Sequence, residues 1–419
     1  MMKDKLIINR ESLDIFIIYL IILMDCNYLF LFPIPAPLTV YWSPYVKFAL
    51  VFISLVYTII IRGWRINNKF IKRYLILLTI SFMCVSLLSN HYYPDEKIHN
   101  HILQYGGVFL VVFAFPLIAY FKRCGSYEPF LKGINVIAFL IYMLFIGQLV
   151  LSKIGGPFVL SLYHSTRYGN LRMGLSIIGN VMVIYNFCRL LYDDESNKAF
   201  NAIQLVLGLF CVFVIQQTRA YEIAFCIVLG ILTVFKGNKT FKQQIFLILA
   251  FLAAIIVIAT GVLDTFLASF TSGSEVASTE IRQVAYLYFF YTFLENPLWG
   301  HGFLTDSSYQ SIKVGPWGYF YYADTGIVGL LAQWGLFVIP VYIYPFIYWT
   351  KLLIKKRHEK IDPFLVGLII FLIALSPTLL CLNPERVLIW PICFALFVFL
   401  EGTEKQEDDR QSLLWFGNM

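Results

Sequence analysis

With 419 residues, 59% of them hydrophobic and only 14% charged, the chain is too apolar and too poor in charge for an ordinary soluble domain, which is about half apolar and about a quarter charged. Its formal net charge of +7 does not indicate nucleic acid: Lys and Arg sit in short tags between apolar blocks, and no basic face or stripe forms. The eight cysteines make no Cys-x-x-Cys pair and fall mostly inside apolar blocks. That argues against a disulfide framework or a zinc site and for buried small hydrophobes.

The apolar blocks are of membrane-spanning length. Twelve candidate helices run over 13–34, 44–61, 74–90, 102–121, 133–151, 173–191, 200–217, 221–235, 244–262, 323–349, 362–381 and 387–400. The first follows Lys3, Lys5 and Arg10. It is too long for a signal-peptide core and has no small-residue cleavage site after it, so it reads as an uncleaved span. With the N-terminus in the cytoplasm, 23 of the 32 Lys and Arg residues fall in inside segments and nine in outside ones. This split follows the positive-inside rule and puts both termini in the cytoplasm. The expected fold is therefore an all-α polytopic integral membrane protein with about twelve transmembrane helices and one large extracytoplasmic loop, 263–322, between helices 9 and 10. Residues 1–400 form one transmembrane domain, and 401–419 form a charged cytoplasmic tail. Within the loop, the segment 280–295 starts polar and turns aromatic, as a helix lying in the membrane interface would.

Five of the nine outside basic residues are arginines near helix ends: Arg167, Arg172, Arg219, Arg282 and Arg386. A guanidinium grips phosphate oxygens in two-pronged fashion and keeps its proton, so an outward cavity lined by arginines suits a lipid-linked diphosphate. The plainer alternative is that these side chains snorkel to outer headgroups. Arg219 stands between two apolar blocks in Gln216-Gln217-Thr218-Arg219-Ala220-Tyr221-Glu222, where a charge must be paired or face water. Glu222, one helical turn on, is its candidate structural partner.

Further along, Glu295-Asn296-Pro297-Leu298-Trp299-Gly300-His301-Gly302 reads as a tight turn, with Pro297 ending a helix and two glycines allowing close backbone approach. Asp324 lies at the outer mouth of the next span. It is either a helix cap or a general base for an incoming hydroxyl. The loop 90–101 contains His91, His99 and His101 with Asp95 and Glu96. Their spacing matches no metal-ligand pattern, so no metal is expected. Lys236 to Thr240 lacks the leading glycine and the Gly-Lys pair of a P-loop. No cofactor is expected.

The order of three of these segments resembles the O-antigen polymerase and O-antigen ligase superfamily of membrane glycosyltransferases. In that family a Thr/Ser-Arg motif ends a helix, matched by Thr218-Arg219. An outward loop leads to an Asn-Pro-Leu-x-Gly-x-Gly turn, matched by Asn296 to Gly302. A span then opens towards Leu-Ala-Glu-x-Gly, matched by Leu331-Ala332-Gln333-Trp334-Gly335. Arg282 falls where the family often has an arginine. The motifs cover roughly residues 215–340.

The resemblance implies a bacterial inner-membrane enzyme that joins undecaprenyl-diphosphate-linked oligosaccharide repeat units on the outer face, within the lipid bilayer. Flippase and chain-length regulator proteins are candidate partners, and nucleic acid is not. It implies Arg219, Arg282 and Asp324 as catalytic residues, with Arg172, Arg386, Arg167 and His301 binding substrate. Ligases of the family commonly carry His-Asn where this chain has Asp324-Thr325, which favours polymerase over ligase. A flippase for the same lipid-linked sugar is the third reading. The absence of two related halves argues against it.

Overall fold

The computed structural model describes residues 10–25, 44–61, 68–160, 164–167, 170–193, 196–235, 274–356 and 361–402. Among them the only strands form one short antiparallel hairpin, His164–Arg167 with Asn170–Met173, and helices make up most of the rest. The hairpin falls in a stretch where no strand was expected. The expected span 244–262 lies outside the described residues, as do most of the small polar stretch before the loop helix and nearly all of the charged tail.

Four described helices are long and apolar enough to cross a bilayer: Lys69–Tyr92, Ile98–Cys124, Glu128–Lys153 and Lys198–Gln216. At about 1.5 Å rise per residue, the 24 to 27 residues of the first three exceed the roughly 30 Å hydrocarbon thickness. Shorter apolar helices cover Asp14–Met24, Val46–Ile60, Ile177–Tyr192, Pro363–Leu375 and Ile389–Gly402. Twelve full-length spans are thus more than helix length supports among the described residues. Several apolar segments form helices too short to cross alone. Ile177–Tyr192 shows why composition misleads here: it is buried nearly all round, so its apolarity reflects protein neighbours as much as lipid.

The expected continuous span 323–349 is instead broken. Gly326–Phe337 and Ile339–Lys355 meet at a bend of 112°. The break sits at Gly335, whose φ of 57° and ψ of −142° are closed to side-chain-bearing residues. The backbone of Leu298 and Trp299 presses on its Cα, where a Cβ would stand. Leu336 N donates to Pro297 O at 2.8 Å and His301 N to Ala332 O at 2.6 Å. The Asn296–Gly302 turn therefore packs into the notch of the broken helix. The two glycine-bearing motifs are the two halves of one backbone lock.

A second break follows Lys198–Gln216. Its last turn is π-helical over Cys211–Gln216, and Gln217 then takes a left-handed conformation at φ 49°. The next helix, Arg219–Phe235, starts two residues later. The expected limits, 200–217 and 221–235, bracket this junction. The loop helix expected near 280–295 runs Ser274–Glu295. Phe289 and Ala285 on that helix pack with Phe320 and Ala332.

Candidate active site

A cavity of about 700 Å³ opens at the second of these breaks, with Gln216, Thr218 and Arg219 in its wall. Four arginines line it: Arg172 from the hairpin, Arg219 from the first residue of its helix, Arg282 from the loop helix and Arg386 from the turn before Ile389–Gly402. Asp324 and Glu385 are its carboxylates, against four guanidiniums. The helix Ile177–Tyr192 also begins in this wall, with Ile177 among the lining residues. Two helix N-termini, Ile177 and Arg219, thus add their positive dipole ends to the guanidinium charge. The electrostatics favour an anion carrying more than one negative charge.

Each arginine is placed by a recognisable local cause. Arg172 pairs across the hairpin with Ser165, another lining residue. Its Nε donates to Gln216 O at 3.0 Å and a terminal nitrogen to Thr218 Oγ1 at 3.2 Å. The Gln216 carbonyl is exposed to this contact because the helix stops there, so the break at Gln217 orients Arg172 as well as starting the Arg219 helix. The turn carrying Arg386 is closed by Arg386 N donating to Asn383 O at 2.8 Å. The Arg386 guanidinium donates through Nε to the Tyr221 hydroxyl at 3.1 Å and pairs with Glu385 at 3.0 Å. Tyr221 is buried and lies two residues after Arg219. One buried phenol therefore joins the Arg219 helix to Arg386.

Arg282 is exposed on the loop helix, one turn before Tyr286. The Tyr286 hydroxyl donates to Pro377 O, which ties that helix to the turn that ends Pro363–Leu375. Burial raises the Tyr286 hydroxyl above the ordinary phenol range, with Arg282 opposing and Asp324 reinforcing the shift. Both charges therefore act on the same spot. Asp324 is exposed at the end of a short turn, Tyr322–Asp324, and its carboxylate faces the cavity without capping the helix that follows.

The structure separates one sequence candidate, His301, from this group. His301 does not line the cavity. It is buried in the backbone lock, and burial pushes its pKa down to about 4. Arg167 ends the first hairpin strand, opposite Asn170. The loop 90–101 is engaged elsewhere. Glu96 is buried, accepts from Thr305 Oγ1 at 2.6 Å and Asp306 N at 2.9 Å, and meets His101 Nε2 at 3.2 Å. Burial opposes its ionisation, but these hydrogen bonds hold its carboxyl below the usual range. Sequence reasoning missed Glu385, Tyr221 and Tyr321 in the cavity wall. The Glu385-Arg386 dipeptide in a short polar break between apolar helices was a readable signal for the first. Tyr221 looked like ordinary apolar filling.

Residues 204–343 match the family described as O-antigen ligase. That segment contains Arg219, Arg282, His301 and Asp324, whereas Arg172 and Arg386 lie outside it. No curated protein matches the chain.

Proposed function

We propose, from the premise that residues 204–343 belong to the O-antigen ligase and polymerase superfamily, that this membrane protein polymerises polysaccharide repeat units carried on undecaprenyl diphosphate at the outer face of a bacterial inner membrane. The observation that carries the reading is the convergence of Arg172, Arg219, Arg282 and Arg386 with Asp324 on one cavity. A diphosphate leaving group needs an excess of fixed positive charge, and an acceptor hydroxyl needs a base beside it.

In the proposed reaction the terminal hydroxyl of one unit attacks the anomeric carbon of another. A new C–O glycosidic bond forms, and the bond from that carbon to the diphosphate oxygen breaks. Asp324 takes the hydroxyl proton. Undecaprenyl diphosphate departs with the bonding electrons, its growing charge met by Arg219 and Arg282, with Arg172 and Arg386 in support. Catalysis is mainly positioning and electrostatic stabilisation by donors fixed before the reaction starts. The glycosyl-diphosphate bond supplies the driving force, so no nucleotide is required.

The family's description as O-antigen ligase supports a second reading, transfer of finished polymer to another acceptor. Asp324-Thr325 in place of the ligase His-Asn supports the first. The length distribution of surface polysaccharide in cells lacking this chain separates them. Single repeat units retained without polymer is the outcome expected of a polymerase. Loss of all linked polysaccharide with lipid-linked polymer accumulating would establish the ligase.

A further inference from the structure

The wall of the cavity continues outward along the loop that carries Tyr321. Tyr319 and Tyr321 are 45% and 57% exposed, while Phe320 between them is 1% exposed and packs inward. Trp317, 53% exposed, stands beside Tyr319 with ring centroids 6.2 Å apart. Alternation along the chain thus presents three large aromatic rings on the outer side of one short segment, and the last of them, Tyr321, lines the arginine cavity. Asp324 follows three residues later in the same wall.

This segment is held rigidly. Phe320 N donates to Val314 O at 2.8 Å and Gly318 N to Gly315 O at 3.0 Å, which close the turn beneath Trp317. The Tyr288 hydroxyl donates to Ile312 O at 2.8 Å, and the Tyr288 ring meets Phe320 at 5.5 Å. Tyr288 belongs to the helix that carries Arg282, so the exposed rings keep a fixed register to Arg282 as well as to Asp324. Rings held in place in advance bind with little further loss of freedom. Tyr and Trp combine a broad apolar face with a polar edge at low side-chain entropy. That combination suits a ligand with one apolar and one polar aspect.

We propose that Trp317, Tyr319 and Tyr321 form a carbohydrate-binding strip, on which the sugar rings of the acceptor oligosaccharide lie with their C–H faces against the aromatic faces. A chain laid on the strip ends at Tyr321, where its terminal hydroxyl meets Asp324. This rests on the transferase reading above and adds to it the residues that select the acceptor. Continuity with the cavity favours a glycan. An aromatic belt anchored in lipid needs no such continuity, nor a strip that ends at a carboxylate.

The test uses the full chain in nanodiscs and, as probe, the free oligosaccharide released by mild acid from lipid-linked units of cells lacking this protein. The Trp317 signal is taken as the fluorescence difference between wild type and Trp317→Phe. Titration with the oligosaccharide is expected to change that signal, and Tyr319→Ala to weaken binding roughly three- to tenfold. In turnover, Trp317→Ala and Tyr319→Ala are expected to raise the acceptor KM by a similar factor with kcat within about twofold, and the Phe variants to restore it. A Trp317 signal quenched by brominated phospholipid and indifferent to the oligosaccharide would assign the strip to the membrane and overturn the proposal. So would wild-type KM in the Trp317→Ala, Tyr319→Ala double variant while Arg219→Ala is inactive. Binding of the free oligosaccharide does not require turnover. Failure of the transferase reading would therefore appear as absent activity with binding intact, distinct from failure of the strip.

Discussion

The helix Ile177–Tyr192 has arginines gathered near both its ends, and the two groups are treated oppositely. At its start lies the cavity, where four guanidiniums face two carboxylates. About 18 Å away by helix rise, Arg189 in the last turn is paired with both Glu128 and Asp193. At the same end Arg123 pairs with the buried Asp14, and Tyr127 donates to Asp362 at 2.6 Å. Among the described residues, carboxylates match the arginines at the far end and are outnumbered by them in the cavity wall. A surplus in a partly desolvated site is destabilising unless a ligand offsets it. The imbalance is thus a better pointer to function than the number of arginines.

The largest expected effect is at Arg219. Arg219→Ala should lower polymerisation by two to three orders of magnitude, roughly the effect of removing one transition-state donor, with the protein inserted at normal abundance. Arg219→Lys should rescue poorly, because an ammonium restores charge without the planar fork. If Arg219 serves only a structural pairing with Glu222, Glu222→Ala will be equally harmful and replacing both by Gln will recover activity. Full activity in Arg219→Ala at wild-type abundance would remove the contrast between the two ends.

An intermediate effect is expected on acidification. His301 is buried in the backbone lock, with its folded pKa lowered from 6.5 to about 4. The unfolded state therefore binds the proton more readily, so stability is full above pH 6.5 and falls progressively as pH drops towards 4. The loss at pH 5 is on the order of 2 kcal/mol. Hydrogen-exchange protection, corrected for the intrinsic exchange rate at each pH, should fall in segments 296–302 and 331–335 between pH 7 and 5, and not around Arg189. A uniform fall in protection would show that His301 is not the group responsible. His301→Gln should flatten the response.

Tyr221→Phe removes the acceptor for Arg386 Nε while keeping the ring, at a cost of about 1 kcal/mol. Turnover should fall roughly fivefold and the pH profile keep its shape. Unchanged turnover would detach Arg386 from the cavity's work. The smallest effect on chemistry is expected from Arg189→Gln. Its pairs are partly exposed, so it should lower thermal stability by no more than about 1 kcal/mol and leave turnover per molecule intact. A loss of turnover at normal abundance would mean that the far end is also part of the site.

Much of the cavity was legible in the sequence because arginine on the outer side of a membrane span runs against the charge bias of insertion. Arg172, Arg219, Arg282 and Arg386 were singled out on that ground and meet at one cavity. Arg219 was sharpest, since almost no loop separates its flanking helices. What was not legible depends on contacts between distant segments. The 112° bend within 326–355 is fixed by a turn some forty residues earlier, and hydropathy across it is continuous. The hairpin 164–173 is too short to carry a strand pattern. His301 was a candidate for binding substrate, yet the glycines that flank it let the backbone close over it. Helix count suffered for a related reason: a helix buried within protein and one facing lipid are equally apolar.

The lock between Pro297 and Leu336 and between His301 and Ala332 closes the intervening chain into a loop clipped at its base. Changing the length of such a loop alters its closure entropy only slowly. Residues 307–321, which carry Trp317, Tyr319 and Tyr321, can therefore lengthen, shorten or change composition without moving Arg219, Asp324 or the bend. Under the proposed polymerase reading, a new repeat unit would then require a new loop and not a new enzyme.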